Sequence, residues 1–220
     1  ILWHGGDKAG SVYWETAFGR GRPSWNIQDS SILFRYFDEP LSIFCGGWDN
    51  LFRHHDYTRA ILESVRHYPM TRFWLHGQLL LVKGRKMSKS LGNIYYTDTI
   101  LNQGYSREDL RFFLFSQPYR EKLHYSDAAM KAAAEKLRGF KEKVKALTVR
   151  SRGQEVDTGS ARKIKDLFSR EMDDNLNTRA AFNRLSGFVS GLDIPALKPA
   201  VAAGFKKGLQ EIDTVLRILF

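Results

Sequence analysis

The stretch "KGRKMSKSLGN", Lys83 to Asn93, carries six basic or hydroxyl side chains in eleven residues and follows the apolar run "FWLHGQLLLV". An ammonium group is a compact point charge on a flexible stem, suited to meeting negative charge as it develops on a phosphate. Lys86 and Lys89 fit that task, and Ser88 and Ser90 add hydroxyl donors for phosphate oxygens or for the loop backbone. Gly84 and Gly92 flank them and give the loop conformational freedom. A solvated basic turn has the same composition, so the surrounding elements must distinguish the two.

"LSIFCGG" is an apolar run stopped by two glycines, the pattern of a buried strand whose carboxyl end opens on a ligand crevice. Leu51 to Tyr68 then reads as a helix that ends at Pro69, and "TRFWLHGQLLLV" reads as a second strand feeding the lysine loop. Strand, helix, strand predicts a parallel crossover. Upstream, "FGRGRPSW" is irregular and "SILFRYF" is a short helical or extended piece.

After the loop the pattern turns helical. Thr97 and Ser106 are predicted N-caps, with a Ser-x-x-Asp capping box in "SREDLRFFLF". Ser126 is predicted to cap a long helix with the stripe Met130, Ala133, Leu137, Phe140, Val144 and Leu147. "RSRGQEVDTGS" reads as a polar linker, followed by stripes at Phe182, Leu185, Phe188, Val189 and at Phe205, Leu209, Ile212, Leu216, Leu219.

The excess of 34 Lys and Arg over 24 Asp and Glu gives a formal charge of +10, which makes a nucleic acid or nucleotide phosphate a credible partner. No apolar run reaches membrane-spanning length. Cys45 is the only cysteine, so neither an internal disulfide nor a Cys-x-x-Cys knuckle can form, and a reducing, cytoplasmic setting is expected. "ILWHGGDKAG" lacks an initiating Met and the marks of a signal peptide, and reads as mid-protein sequence.

"KMSKS" with "LGN" is identical to the second signature of class I aminoacyl-tRNA synthetases, and the chain as a whole resembles the cysteinyl-tRNA synthetase family. "GRPSWNIQDS" is similar to that family's G-R-P-G-W-H-I-E-C-S, and "GGWDNLFRHHD" to its G-G-x-D-L-x-F-P-H-H-E. The step from Trp74 to Lys86, "DLRFFLFSQPYREKLHYSD" and "MDDNLNT" are similar as well.

The resemblance implies an α/β fold: the second half of a Rossmann-type catalytic domain with a parallel sheet over residues 1–95, a stem-contact region over 96–125 and an α-helical bundle over 126–220. It implies ATP, accompanied by Mg2+, and an amino acid as substrates, with tRNA or another acceptor taking the acyl group. A further partner is the amino-terminal half that would carry the family's H-x-G-H segment. Lys86 and Lys89 match the pyrophosphate-stabilising positions. Gly46, Gly47, Asp49, His76, Met87, Ser88 and Ser90 match ATP-side positions, and Trp25, Asn26 and Trp74 match the amino-acid pocket. "GGWD" taken alone reads better as an ordinary turn, and a lone histidine on a strand such as His76 is more often structural.

The family holds zinc with two Cys, one His and one Glu. Here His54 keeps its position, while Asp29 stands for the second cysteine and Thr58 for the glutamate, so zinc is not expected. Cys45 is predicted to be a packed small residue. Asn26, Gln28 and Phe44 also replace polar family residues. A catalytically silent relative that binds tRNA or another RNA through its basic helices is the competing expectation.

Overall fold

The computed structural model describes residues 1–6 and 12–220; the end of the opening "ILWHGGDKAG" stretch lies outside the described residues. The fold is α/β and forms two compact units, Ile1–Gln78 and Leu79–Phe220.

In the first unit, β1 (Trp3–Gly5) pairs antiparallel with β2 (Gly21–Pro23). Ser24 then caps α1 (Trp25–Tyr36) by accepting the Ile27 N–H, which settles the helical choice for "SILFRYF". β3 (Leu41–Gly47) and β4 (Thr71–Gly77) pair in parallel, with Phe44 opposite Trp74 and Gly46 opposite His76. The crossover between them is helical, but not one regular helix. A 3-10 turn (Trp48–Asn50) and a π-helical turn (Leu51–His55) precede α2 (Asp56–Val65).

Two sequence expectations need correction in this unit. β3 is not buried: Ile43 and Cys45 are exposed, as is Phe73 on β4, because the two-stranded sheet is covered on the Phe44, Gly46 and Trp74 face by the ring of His55. Cys45, on the other face, is therefore not a packed residue. Nor is "TRFWLHGQLLLV" a single strand.

The chain breaks after Gly77, and β5 (Leu80–Val82) belongs to a different sheet in the second unit. There it pairs antiparallel with β6 (Arg85–Lys86) and parallel with β7 (Leu123–Tyr125). Leu81 and Val82 are buried, so β5 takes its place from an apolar demand that β4 does not share.

The second unit continues with α3 (Thr97–Leu101), α4 (Arg107–Phe115), α5 (Asp127–Arg150), α6 (Thr158–Asp173), α7 (Thr178–Ser190) and α8 (Pro199–Leu216). Ser106 and Asp109 form the predicted capping box, and Ser126 caps α5. The cap of α3 is Tyr96 and makes no side-chain bond; Thr97 is already helical.

All six residues of the α5 stripe are buried. α6 was absent from the sequence expectation, which ran the linker to Ser160. Its buried set is only Ala161, Ile164 and Phe168 beside Ser160, set among Lys and Arg, so its stripe is narrow. α8 compensates with glycine: a Cβ at Gly208 would lie 2.3 Å from Ile164 Cγ2, and one at Gly204 2.2 Å from the Asp157 carbonyl oxygen. Close helix approach therefore buries α6 without large side chains.

Candidate functional site

In the first unit, Trp25, Asn26, Asp29 and Ser30 share one face of α1, because residues three to five apart along a helix fall together. That face meets the π-helical turn and α2. His54 is buried and stacked on Trp25, with ring centroids 3.5 Å apart and planes 15° apart. Its Nε2 lies 2.7 Å from Asp29 Oδ2, and its Nδ1 is hydrogen-bonded to Asn26 Oδ1. Ser30 Oγ lies 2.7 Å from the Asn26 carbonyl oxygen and 3.2 Å from that of Thr58, so its single proton is shared between α1 and α2.

One residue further along the turn, His55 packs over Gly46. A Cβ there would lie 2.1 Å from the His55 Cε1 atom, so the glycine makes room for this ring. Phe44 and Trp74 flank the same ring. His55 Nδ1 is 2.8 Å from His76 Nε2, and His76 stacks on Trp74. Sequence reasoning found His76 and Trp74 and missed His55, although its place one residue after His54 in "HHD" is a usable signal. Asp49 turns back toward Gly47, whose Cβ would sit 2.6 Å from Oδ1.

The lysine loop belongs to the second unit. Lys83 (φ 50°) and Gly84 (φ 74°) join Val82 to Arg85, and both positive angles are what a two-residue type I′ hairpin turn demands. The Met87 N–H donates to the Leu80 carbonyl, and Met87 packs partly buried on the helical core. Lys89 to Leu91 form a 3-10 turn ended by Gly92 at φ 61°.

Asn93 braces the whole loop. Its Oδ1 accepts the Ser88 N–H at 2.9 Å and its Nδ2 donates to the Lys86 carbonyl at 3.1 Å. Ser88 and Ser90 hydroxyls are 3.3 Å apart, and Lys86 and Lys89 are exposed. The structure thus gathers Trp25, Asn26, Asp29, His54, Thr58, Trp74 and His76 around one aromatic cluster, and Lys86, Met87, Ser88, Lys89 and Ser90 in one braced turn.

Residues 1–135 match the family described as tRNA synthetases class I (C) catalytic domain. The chain belongs to that family. Over its full length this class I (C) synthetase chain is 34% identical to a cysteine–tRNA ligase of Chlamydia felis, of which it covers 48%. A cysteine–tRNA ligase of Koribacter versatilis is 32% identical over 96% of the chain and 44% of the relative. The chain spans about half the length of the curated relatives it matches. Among solved structures, a LeuRS of Agrobacterium radiobacter K84, in a ternary complex with tRNA and LeuAMS, superposes with a TM-score of 0.64. It is 17% identical and is matched over 94% of this chain and 33% of its own, a likeness of fold.

The zinc implied by the cysteinyl branch of the family does not fit these residues. A zinc ligand needs a free lone pair on nitrogen, oxygen or thiolate. Both ring nitrogens of His54 are engaged by Asn26 and Asp29, and Thr58 offers only a neutral hydroxyl, fully buried and without a hydrogen-bond partner. Cys45 lies on the opposite face of β3 from His55. Among the described residues no group of three His, Cys, Asp or Glu is placed to hold a metal ion.

The His55–His76 pair sets a pH response. Burial, then the neighbouring His76 and His54, lowers the pKa of His55, and burial lowers that of His76. Their hydrogen bond needs a lone pair on one nitrogen, which double protonation removes. The unfolded chain takes up protons near the ordinary pKa of 6.5 while the folded pair resists, so stability is present above 6.5 and falls as the pH drops through the lowered values. Melting followed by tryptophan fluorescence is expected to move to lower temperature between pH 7.5 and 5.5, and His55→Asn is expected to flatten that dependence.

Proposed function

We propose that this chain is the carboxyl-terminal part of an ATP-dependent aminoacyl-tRNA synthetase that activates its amino acid without zinc. In this reading residues 1–95 complete the second half of a Rossmann-type catalytic domain, 96–125 contact the acceptor stem, and 126–220 form a helical bundle that approaches tRNA. An amino-acid carboxylate oxygen attacks the α-phosphorus of Mg-ATP, the bond from that phosphorus to the α,β-bridging oxygen breaks, and pyrophosphate leaves with that oxygen and the electron pair. The acyl group then passes from the adenylate to a ribose hydroxyl, releasing AMP.

Lys86 and Lys89 supply positive charge where the leaving pyrophosphate gains negative charge, an interaction worth more in the transition state than in the ground state. Gly46, Gly47, Asp49 and His76 serve the nucleotide side, joined by Met87, Ser88 and Ser90. Trp25, Asn26 and Trp74 bound the amino-acid pocket. The observation that carries this reading is the unaltered K-M-S-K-S string held in a defined turn by Asn93, because charges meant for one leaving group need a fixed backbone beneath them.

ATP–pyrophosphate exchange by the whole protein, scanned over all amino acids with a zinc-selective chelator and excess Mg2+ present, tests it. Exchange with one amino acid in the chelator is the expected result; silence with all of them would rule the reading out.

A catalytically silent, RNA-binding role is favoured by a different observation. Lys131, Lys136, Arg138, Lys143 and Lys145 are all exposed along α5. If these five meet phosphates, tRNA affinity falls about 10²- to 10³-fold between 50 and 200 mM salt and is indifferent to ATP, as filter binding across a salt series would read.

A further inference from the structure

Between α4, β7, α5 and α7 the second unit has a hollow of about 410 Å3 that opens on solvent. Its floor is apolar and belongs to the core, Phe112, Phe182 and Ala133 being buried, and its accessible wall is Leu123, His124 and Ala132. Its rim is cationic: Lys122, Lys136 and Arg179. No carboxylate lines it.

The cations are not spent on acids in the usual way of surface lysines. Lys136 Nζ donates to the neutral Asn183 Oδ1 at 2.6 Å and sits 5.4 Å from the Phe182 ring centroid. Lys122 has no ion-pair partner among the described residues. Only Arg179 is paired, with Glu121 at 2.7 Å, and its other arm donates to Gln117 Oε1 at 2.5 Å. That pairing fixes the guanidinium plane and leaves further N–H groups to donate.

Unneutralised ammonium groups beside a wall of Leu123, His124 and Ala132 call for a ligand that is multiply charged at one end and flat and largely apolar at the other. A carboxylate carries one charge; a phosphate monoester carries nearly two. We propose that this hollow is a mononucleotide-binding site, with the phosphate on Lys122, Lys136 and Arg179 and the base against the accessible wall of Leu123, His124 and Ala132. Its volume falls within the range of about 300–1,000 Å3 typical of small-molecule sites. It is built wholly from the second unit and does not depend on the adenylation reading.

Titrating the intact 220-residue chain with AMP, inorganic phosphate and a short single-stranded RNA, while following backbone amide shifts of Lys136, Arg179 and Asn183, tests the assignment. AMP is expected to move these signals saturably and to bind at least about tenfold tighter than phosphate. The double variant Lys122→Ala with Lys136→Ala should weaken AMP about tenfold or more. Ala132→Trp, at an exposed lining position of α5, should fill the hollow and abolish the shifts while circular dichroism stays unchanged.

Lys86→Ala with Lys89→Ala should leave these shifts intact, which separates this site from any nucleotide bound for adenylation. Absence of shifts, equal affinity for AMP and phosphate, or shifts produced by the RNA alone would overturn the proposal.

Discussion

Lys89→Ala in the whole protein is expected to cut ATP–pyrophosphate exchange by about 10²- to 10³-fold, the scale seen when one preorganised charge stabiliser is removed from a transition state. On the proposed adenylation reading the KM for ATP should move far less, because the ammonium would meet most of its charge only as pyrophosphate departs. The structure argues that the loss would be local. Lys89 is exposed, and the turn around it is held by main-chain and Asn93 contacts that do not involve its side chain.

Lys83→Asn provides the control, since Lys83 occupies a left-handed position in the hairpin turn that asparagine tolerates well. Unchanged exchange in Lys83→Asn with near-complete loss in Lys89→Ala assigns the effect to one ammonium group. Equal losses in both would mean that only bulk positive charge matters, and the assignment of Lys89 would fail.

The sequence made some of this legible and hid the rest for physical reasons. Periodicity found the parallel β3–β4 pair, the α5 stripe and the capping box at Ser106, because each is a local code in which side-chain spacing and backbone hydrogen bonding agree. α6 escaped because Gly204 and Gly208 on a distant helix, not its own side chains, let it bury. The break between β4 and β5 escaped because both halves are apolar, and only partner strands decide which sheet each joins.

At the candidate site, the motif string named Lys86 and Lys89, but not the Asn93 brace that shapes their turn. Substitution at the zinc positions was visible as Asp29 and Thr58. That Asn26 and Asp29 together engage both nitrogens of His54 depends on the face α1 presents to the π-helical turn, a relation across 25 to 28 residues that spacing does not encode. His55 was hidden by the same turn, which places adjacent histidines in different surroundings.

Asp213→Ala is expected to destabilise the helical unit by about 3–5 kcal/mol, far more than a typical helix-surface change. An acid in the last turn of a helix is ordinarily unfavourable, since it faces the negative end of the dipole. Here α8 reverses direction at Arg217, in the left-handed region, and the following backbone folds back over the carboxylate. Asp213 Oδ1 accepts the N–H groups of Ile218 and Leu219 at 2.8 and 2.9 Å, and Oδ2 accepts that of Phe220 at 3.1 Å.

Asp213 is 7% exposed and Ile218 and Leu219 are buried, so water cannot replace the two bonds to their N–H groups without unpacking the core. Each orphaned buried donor costs roughly 1–3 kcal/mol, against a few tenths regained from alanine's helix propensity. Asp213→Asn keeps one acceptor oxygen and should lose about half as much. Arg111, whose guanidinium caps the Leu216 and Val215 carbonyls at 2.5 and 3.1 Å, closes the same helix end from outside.

Urea unfolding followed by helical ellipticity reads the effect in the second unit, whereas all five tryptophans lie in Ile1–Gln78 and report on the first. An unfolding free energy for Asp213→Ala within about 1 kcal/mol of the parent would mean that the three N–H groups find other partners, and that the carboxylate does not hold the turn.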